Sequence, residues 1–125
     1  SFLDMIWEQS LTAFDIPREV QVVIDANYNL FISYGTPSFV SFEDQEGELT
    51  DREFPMKLPI KCWIHTHPFG SAYFSGTDWR TIRTWEMLME SAIVLGNNQK
   101  MLWTKENGQH TMFYQNGTLV EDEEE

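Results

Sequence analysis

The order of apolar and polar positions divides this chain into a helix, a group of strands, a polar interruption, a second helix and a run of hairpin strands. Leu3, Ile6, Trp7, Leu11 and Phe14 recur every three or four residues between Phe2 and Phe14, the spacing that gathers side chains on one helical face. Asp15-Ile16-Pro17 ends that pattern. Val20 to Ile24 and Leu30 to Tyr34 are short apolar runs joined by Asp25-Ala26-Asn27-Tyr28-Asn29, which predicts a hairpin. Ser38 to Phe42 predicts a third strand after the break at Gly35-Thr36-Pro37, and Glu43 to Pro55, acidic and poor in apolar anchors, reads as a surface loop. Leu58 to Ile64 then predicts a strand that runs directly into two histidines.

Farther along, Thr77 or Asp78 is placed to cap a helix from Trp79 to about Glu90, with Trp79, Ile82, Trp85, Leu88 and Met89 along one face. That stripe is expected in the core. Ala92 to Leu95, Met101 to Thr104, Gln109 to Tyr114 and Thr118 to Val120 predict further strands, with turns at Gly96-Asn97-Asn98, Asn107-Gly108 and Asn116-Gly117. Two helices among six or seven strands predict an α/β protein in which helices pack on a mixed sheet. A length of 125 residues suits one domain, residues 1–120, followed by the acidic tail 121–125.

Composition narrows the class. A hydrophobic fraction of 42% with 14% aromatics lies far from the disordered regime. The net charge of -12 repels phosphate backbones and anionic lipid, so neither nucleic acid nor a membrane is an expected partner. Glu121-Asp122-Glu123-Glu124-Glu125 contributes to that charge as a solvated run. Cys62 is the single cysteine and cannot form an internal disulfide. With no apolar run of spanning length and no signal peptide, the cytoplasm is the expected location.

The chemistry concentrates in His65-Thr66-His67-Pro68, followed by Ser75 and Asp78: three metal-ligand side chains and a hydroxyl within fourteen residues. Alternate side chains of an extended segment share a side, so both imidazoles are able to face one ion. Pro68 ends the ladder and turns the chain back, and Asp78 arrives at a predicted helix start. Neutral imidazole and carboxylate suit Zn²⁺, and three protein ligands leave a fourth tetrahedral position for water. Each part alone has a structural explanation as strand, cap or turn; the spacing makes them one candidate site. Cys62 lies at odd spacing and is expected to face away from it, while His110 sits among polar neighbours.

His-x-His-Pro, six residues, then Ser-x-x-Asp resembles the JAMM motif of the MPN-domain metalloproteases, a family of zinc-dependent isopeptidases and peptidases. The resemblance implies one MPN-type domain, with a mixed β-sheet packed between helices in a three-layer, cytidine-deaminase-like arrangement. It implies one Zn²⁺ per chain, bound by His65, His67 and Asp78, with Ser75 donating a hydrogen bond to the developing oxyanion. Pro17-Arg18-Glu19 and the following hydrophobic run resemble the family's upstream glutamate element, which makes Glu19 the implied general base; Gln21-Val22 stands where the family has a Cys-Gly pair. Glu43, Glu46, Glu48 and Glu53 are competitors for that role. A base must be held within reach of its proton, which a strand start does better than a loop.

The implied activity is hydrolysis of a peptide or isopeptide bond at the C-terminal tail of ubiquitin or a ubiquitin-like modifier, free or conjugated. The segment Glu43 to Lys57 lies where relatives carry a substrate-contacting insertion. The alternative within the resemblance is a non-catalytic MPN scaffold that binds partners. A zinc nucleobase deaminase fails because its paired cysteine ligands cannot come from Cys62 alone.

Overall fold

A computed structural model of the chain describes residues 2–12, 19–34, 56–68, 70–105 and 108–120. The expected strand 38–42, the acidic loop 43–55, the helix-ending residues 13–18 and the tail 121–125 lie outside the described residues. The described elements are α1 (Phe2–Thr12), β1 (Val20–Ile24), β2 (Leu30–Tyr34), β3 (Cys62–Thr66), α2 (Gly76–Trp85), β4 (Ser91–Gly96), β5 (Gln99–Thr104), β6 (His110–Gln115) and β7 (Thr118–Val120). A short 3₁₀ turn, Glu86–Leu88, follows α2.

The seven strands form one sheet in the order β2-β1-β3-β4-β5-β6-β7. β3 and β4 pair in parallel, and the other neighbours pair antiparallel. A parallel pair needs a crossover long enough to return the chain to the same end. α2 lies in that crossover. The antiparallel hairpins need only tight turns, and Asn116 and Gly117 make one with φ of 52° and 80°, the left-handed values that suit Asn-Gly between strands. The α/β class and the mixed sheet expected from the sequence are both present.

Strand alternation sorts the core into two clusters. Val20, Val22, Cys62, Ile64 and Leu95 pack with Ile6 of α1, flanked by Leu3 and Trp7. Val23, Trp63, Ala92, Val94 and Trp103 point the other way and pack with Ile82 of α2, Met89, and Ala72 and Phe74 from the crossover. Cys62 and His65 therefore lie on opposite sides of β3, as their odd spacing predicts. No helix among the described residues is long and apolar enough to cross a membrane.

The largest departures from the bounds the sequence pattern predicts are at β3 and α2. The strand expected from Leu58 to Ile64 runs instead from Cys62 to Thr66, so His65 lies inside the strand. Pro59 has no N–H for a ladder, and at the other end Thr66 still pairs with Leu95 of β4. The second helix begins at Gly76 and is capped by Ser75, not by Thr77 or Asp78. Ser75 accepts the Asp78 N–H and Asp78 accepts the Ser75 N–H, a reciprocal box that outcompetes a cap two or three residues later. Trp79, Ile82 and Trp85 do contact the core, but the helix stops at Trp85; Leu88 is exposed, and Met89 is buried beside Ile60 through an isolated parallel bridge.

Candidate metal centre

β3 presents Trp63 and His65 on one face, and His67 follows one residue past the strand end with the same parity. The His67 N–H still bonds the Leu95 carbonyl at 2.8 Å, so the chain keeps to the β4 edge while the side chain turns towards His65. From there the chain loops over the end of β4. Gly70 carbonyl accepts the Asn97 N–H at 3.0 Å, and Ala72 N–H donates to Gln99 Oε1 at 2.9 Å. The loop passes so near Gly96 that a Cβ there would lie 2.3 Å from Ala72 N. This close approach, and not an unusual backbone angle, is what demands glycine.

The helix start completes the group. The capping box fixes the Asp78 backbone, and its Oδ2 lies 3.0 Å from His65 Nε2 and 3.6 Å from His67 Nε2. One ligand atom from each of His65, His67 and Asp78 lies within 4.8 Å of the others, so these three residues could hold a metal ion. A tetrahedral ion with bonds of about 2.0–2.1 Å sets its ligand atoms about 3.3 Å apart. The two carboxylate distances bracket that value.

Hydrogen bonding argues the same way. His65 Nε2, 3.0 Å from Asp78 Oδ2, and Asp78 Oδ1 are both buried without a satisfied hydrogen bond among the described residues. Buried polar atoms without partners are costly, and a cation between converging lone pairs would satisfy them. His67 Nδ1 lies 3.2 Å from the Ser71 carbonyl. A carbonyl only accepts, so Nδ1 carries the proton and leaves the Nε2 lone pair directed at the group, the outer contact expected of a metal-binding histidine.

Glu19 arrives by register. Gln21 pairs with His65 across β1 and β3, and Val20 N–H bonds Thr66 Oγ1 at 3.0 Å, which holds the start of β1 beside the end of β3. Two residues farther along this antiparallel register, Glu19 faces His67, with Oε1 3.8 Å from Nε2. Glu19, His67, Pro68, Tyr73, Ser75 and Thr77 line a cleft of about 450 Å³. Tyr73 stands edge-on to His67 at 4.9 Å and is half exposed. A second cavity of about 520 Å³, bounded by Trp7, Lys100 and Tyr114, contains none of these site residues.

The charge states follow from burial and neighbours. Burial pushes the Glu19 carboxyl up, reinforced by Asp78 and opposed by His67. Burial lowers His65, with Asp78 opposing. For His67 burial works downward, yet Asp78, the Ser71 carbonyl and Glu19 together raise it. Asp78 is held well below the usual carboxylate range: burial opposes ionisation, but the two imidazoles and the Ser75 N–H outweigh it. The arrangement offers two imidazoles and an ionised carboxylate to a cation, and beside them a carboxylate shifted towards proton-accepting strength.

All five residues singled out in the sequence, Glu19, His65, His67, Ser75 and Asp78, thus meet at the ends of β1, β3 and α2. Glu43, Glu46, Glu48 and Glu53 lie outside the described residues, and His110 is exposed on β6. Three contributors carried little sequence signal: the Ser71 carbonyl, the close approach at Gly96, and Gln21, whose only mark is a polar side chain inside an apolar run. No family model, curated protein or solved structure matches this chain.

Proposed function

We propose that this chain is a zinc-dependent peptidase of the JAMM type, hydrolysing a peptide or isopeptide bond at the C-terminal tail of ubiquitin or a ubiquitin-like modifier. The fold reading that goes with it is a single MPN-type domain over residues 1–120, three-layered and cytidine-deaminase-like. The observation that carries the proposal is the position of Glu19, a half-buried carboxylate 3.8 Å from a candidate ligand at the wall of an open cleft. A site that only stored a metal would have no use for a base there. Two histidines and one carboxylate are a donor set suited to Zn²⁺ with an open position.

Bound Zn²⁺ would supply Lewis acidity, polarising the scissile carbonyl and making water acidic enough to give up a proton near neutral pH. Glu19 takes that proton on its carboxylate and returns it to the leaving amine. Ser75 Oγ accepts the Asp78 N–H at 3.1 Å, which leaves its hydroxyl hydrogen for the developing oxyanion. Asp78 both completes the capping box of α2 and holds negative charge against the two imidazoles. Tyr73 and Pro68 supply an apolar wall against which an extended substrate tail can lie, and the acidic protein favours a tail with basic residues. A cytoplasmic setting fits such a substrate.

The test measures bound zinc, then hydrolysis of a linear ubiquitin-like fusion by wild type and Glu19→Gln. Stoichiometric zinc in both proteins, with cleavage by wild type alone, is the expected result. Zinc in both with cleavage by neither would instead favour a non-catalytic scaffold. Folded protein without zinc would refute the proposal outright.

A further inference from the structure

Among the described residues, His65 has no outer hydrogen bond of the kind that normally sets the plane of a metal-binding histidine. Its Nδ1 is buried with no partner among the described residues, whereas His67 Nδ1 has the Ser71 carbonyl. The imidazole of His65 is instead stacked on the indole of Trp63, with ring centroids 4.5 Å apart and planes 17° from parallel. Phe74 is farther away, at 6.3 Å and tilted by 45°, and His67 meets the ring edge-on. Trp63 is therefore the one near-parallel surface against the His65 ring among the described residues.

The indole is itself anchored. Gln21 is directly across from His65 on β1, and its side chain reaches diagonally so that Oε1 accepts the Trp63 Nε1–H at 2.8 Å. Diagonal neighbours on a sheet are within reach of long side chains of this kind. Gln21, Trp63 and His65 are all fully buried, so bulk water does not compete for these contacts. A polar residue in the middle of an apolar strand is costly unless bonded, and here its carbonyl oxygen is spent on the indole.

We propose that Gln21 and Trp63 are positioning residues for His65: Gln21 locks the indole, and the indole face sets the imidazole plane so that Nε2 points at Asp78 and His67. The inference rests on the metal reading of the site. Stacking takes the place of the missing bond at Nδ1, so the ring orientation is only as firm as the indole behind it.

Co²⁺ serves as the probe, because its visible absorption reports ligand geometry. Wild type, Gln21→Met, Trp63→Leu and the double variant Gln21→Met/Trp63→Phe are titrated, with thermal melts of the metal-free proteins recorded in parallel. Gln21→Met and Trp63→Leu are expected to weaken Co²⁺ binding about 10- to 100-fold, the scale found for outer contacts of metal sites, and to alter the absorption bands. The double variant restores an aromatic face and removes the indole N–H together with the amide oxygen that accepts it, and is expected to recover most of the affinity and the wild-type spectrum. It also carries the comparison where a single variant does not fold, since full loss of binding in the folded double variant would contradict stacking as the cause. Lower melting temperatures with wild-type affinity and spectrum would overturn the inference by reducing the pair to packing. Wild type that binds neither Co²⁺ nor Zn²⁺ would overturn the metal reading itself, a distinct outcome from wild-type binding that the variants fail to change.

Discussion

Replacing Gly96 by alanine tests how the crossover loop and the candidate site are joined. The new Cβ would lie 2.3 Å from Ala72 N, 2.6 Å from Ser71 C and 2.8 Å from Gly70 O, all backbone atoms that no rotamer change can move aside. Restoring ordinary contact at about 3.4 Å requires the loop to recede by about 1.1 Å at Ala72. That shift stretches the Ala72 bond to Gln99 and the Asn97 bond to Gly70, now 2.9 and 3.0 Å, beyond hydrogen-bonding range. Two such bonds are worth about 0.5–1.5 kcal/mol each, and overpacking adds about 1–3 kcal/mol. The expected loss is about 2–6 kcal/mol, a large part of the roughly 5–15 kcal/mol that holds a domain folded. Ser71 moves with the loop and takes the acceptor of His67 Nδ1 with it, so affinity for the zinc ion proposed above should fall about 10- to 100-fold in the protein that remains folded. Urea denaturation gives the first quantity and competition with a chromophoric chelator the second. A stability change below about 0.5 kcal/mol, the scale of an ordinary surface substitution, with unchanged zinc affinity would refute the reasoning.

Two further predictions concern groups away from the site. Asp25 is fully buried and accepts the N–H groups of Asn27, Asn29 and Lys57 at 2.9, 2.8 and 3.0 Å, with the Asn29 amide at 3.2 Å; Asp25→Asn turns an NH₂ towards those donors and should cost about 1–3 kcal/mol by urea denaturation. Burial pushes the Asp25 carboxyl up, but these donors prevail and hold its folded pKa below the ordinary value, so its contribution is complete above about pH 4 and declines as pH falls through the folded pKa. Wild type should therefore lose its stability advantage over Asp25→Asn on acidification; an advantage that stays constant from pH 7 to pH 2 would contradict the assignment. The Cys62 thiol is buried and pushed up to about 11, so a thiol reagent at pH 7.5 should label it only as fast as the protein unfolds. Labelling of native protein at the rate of a free thiol would place Cys62 at the surface.

Much of the fold was legible because its determinants are local. The β1–β2 hairpin, the β4–β7 strands and the Asn116-Gly117 turn follow from alternation and turn chemistry that act within a few residues. Boundaries were less legible where two local solutions compete. Ser75, Thr77 and Asp78 are all acceptable caps, and only the reciprocal bonds between Ser75 and Asp78 select the first. β3 ends at Thr66 because β4 continues to pair with it, information that resides about thirty residues away.

The sequence by itself determined the donor types at the candidate site and the parity that puts His65 and His67 on one side of the chain, since both are matters of residue identity and backbone period. It also determined that Cys62 would face away. Only the tertiary structure decided that Glu19 faces His67, because that depends on the pairing register of β1 with β3. The same register decided that Gln21 reaches the indole beneath His65, and the path of the crossover decided that Ser71 orients His67 while Gly96 admits the loop. Ligand identity is written in side chains, whereas ligand orientation is set by contacts between segments whose separation along the chain no local pattern encodes.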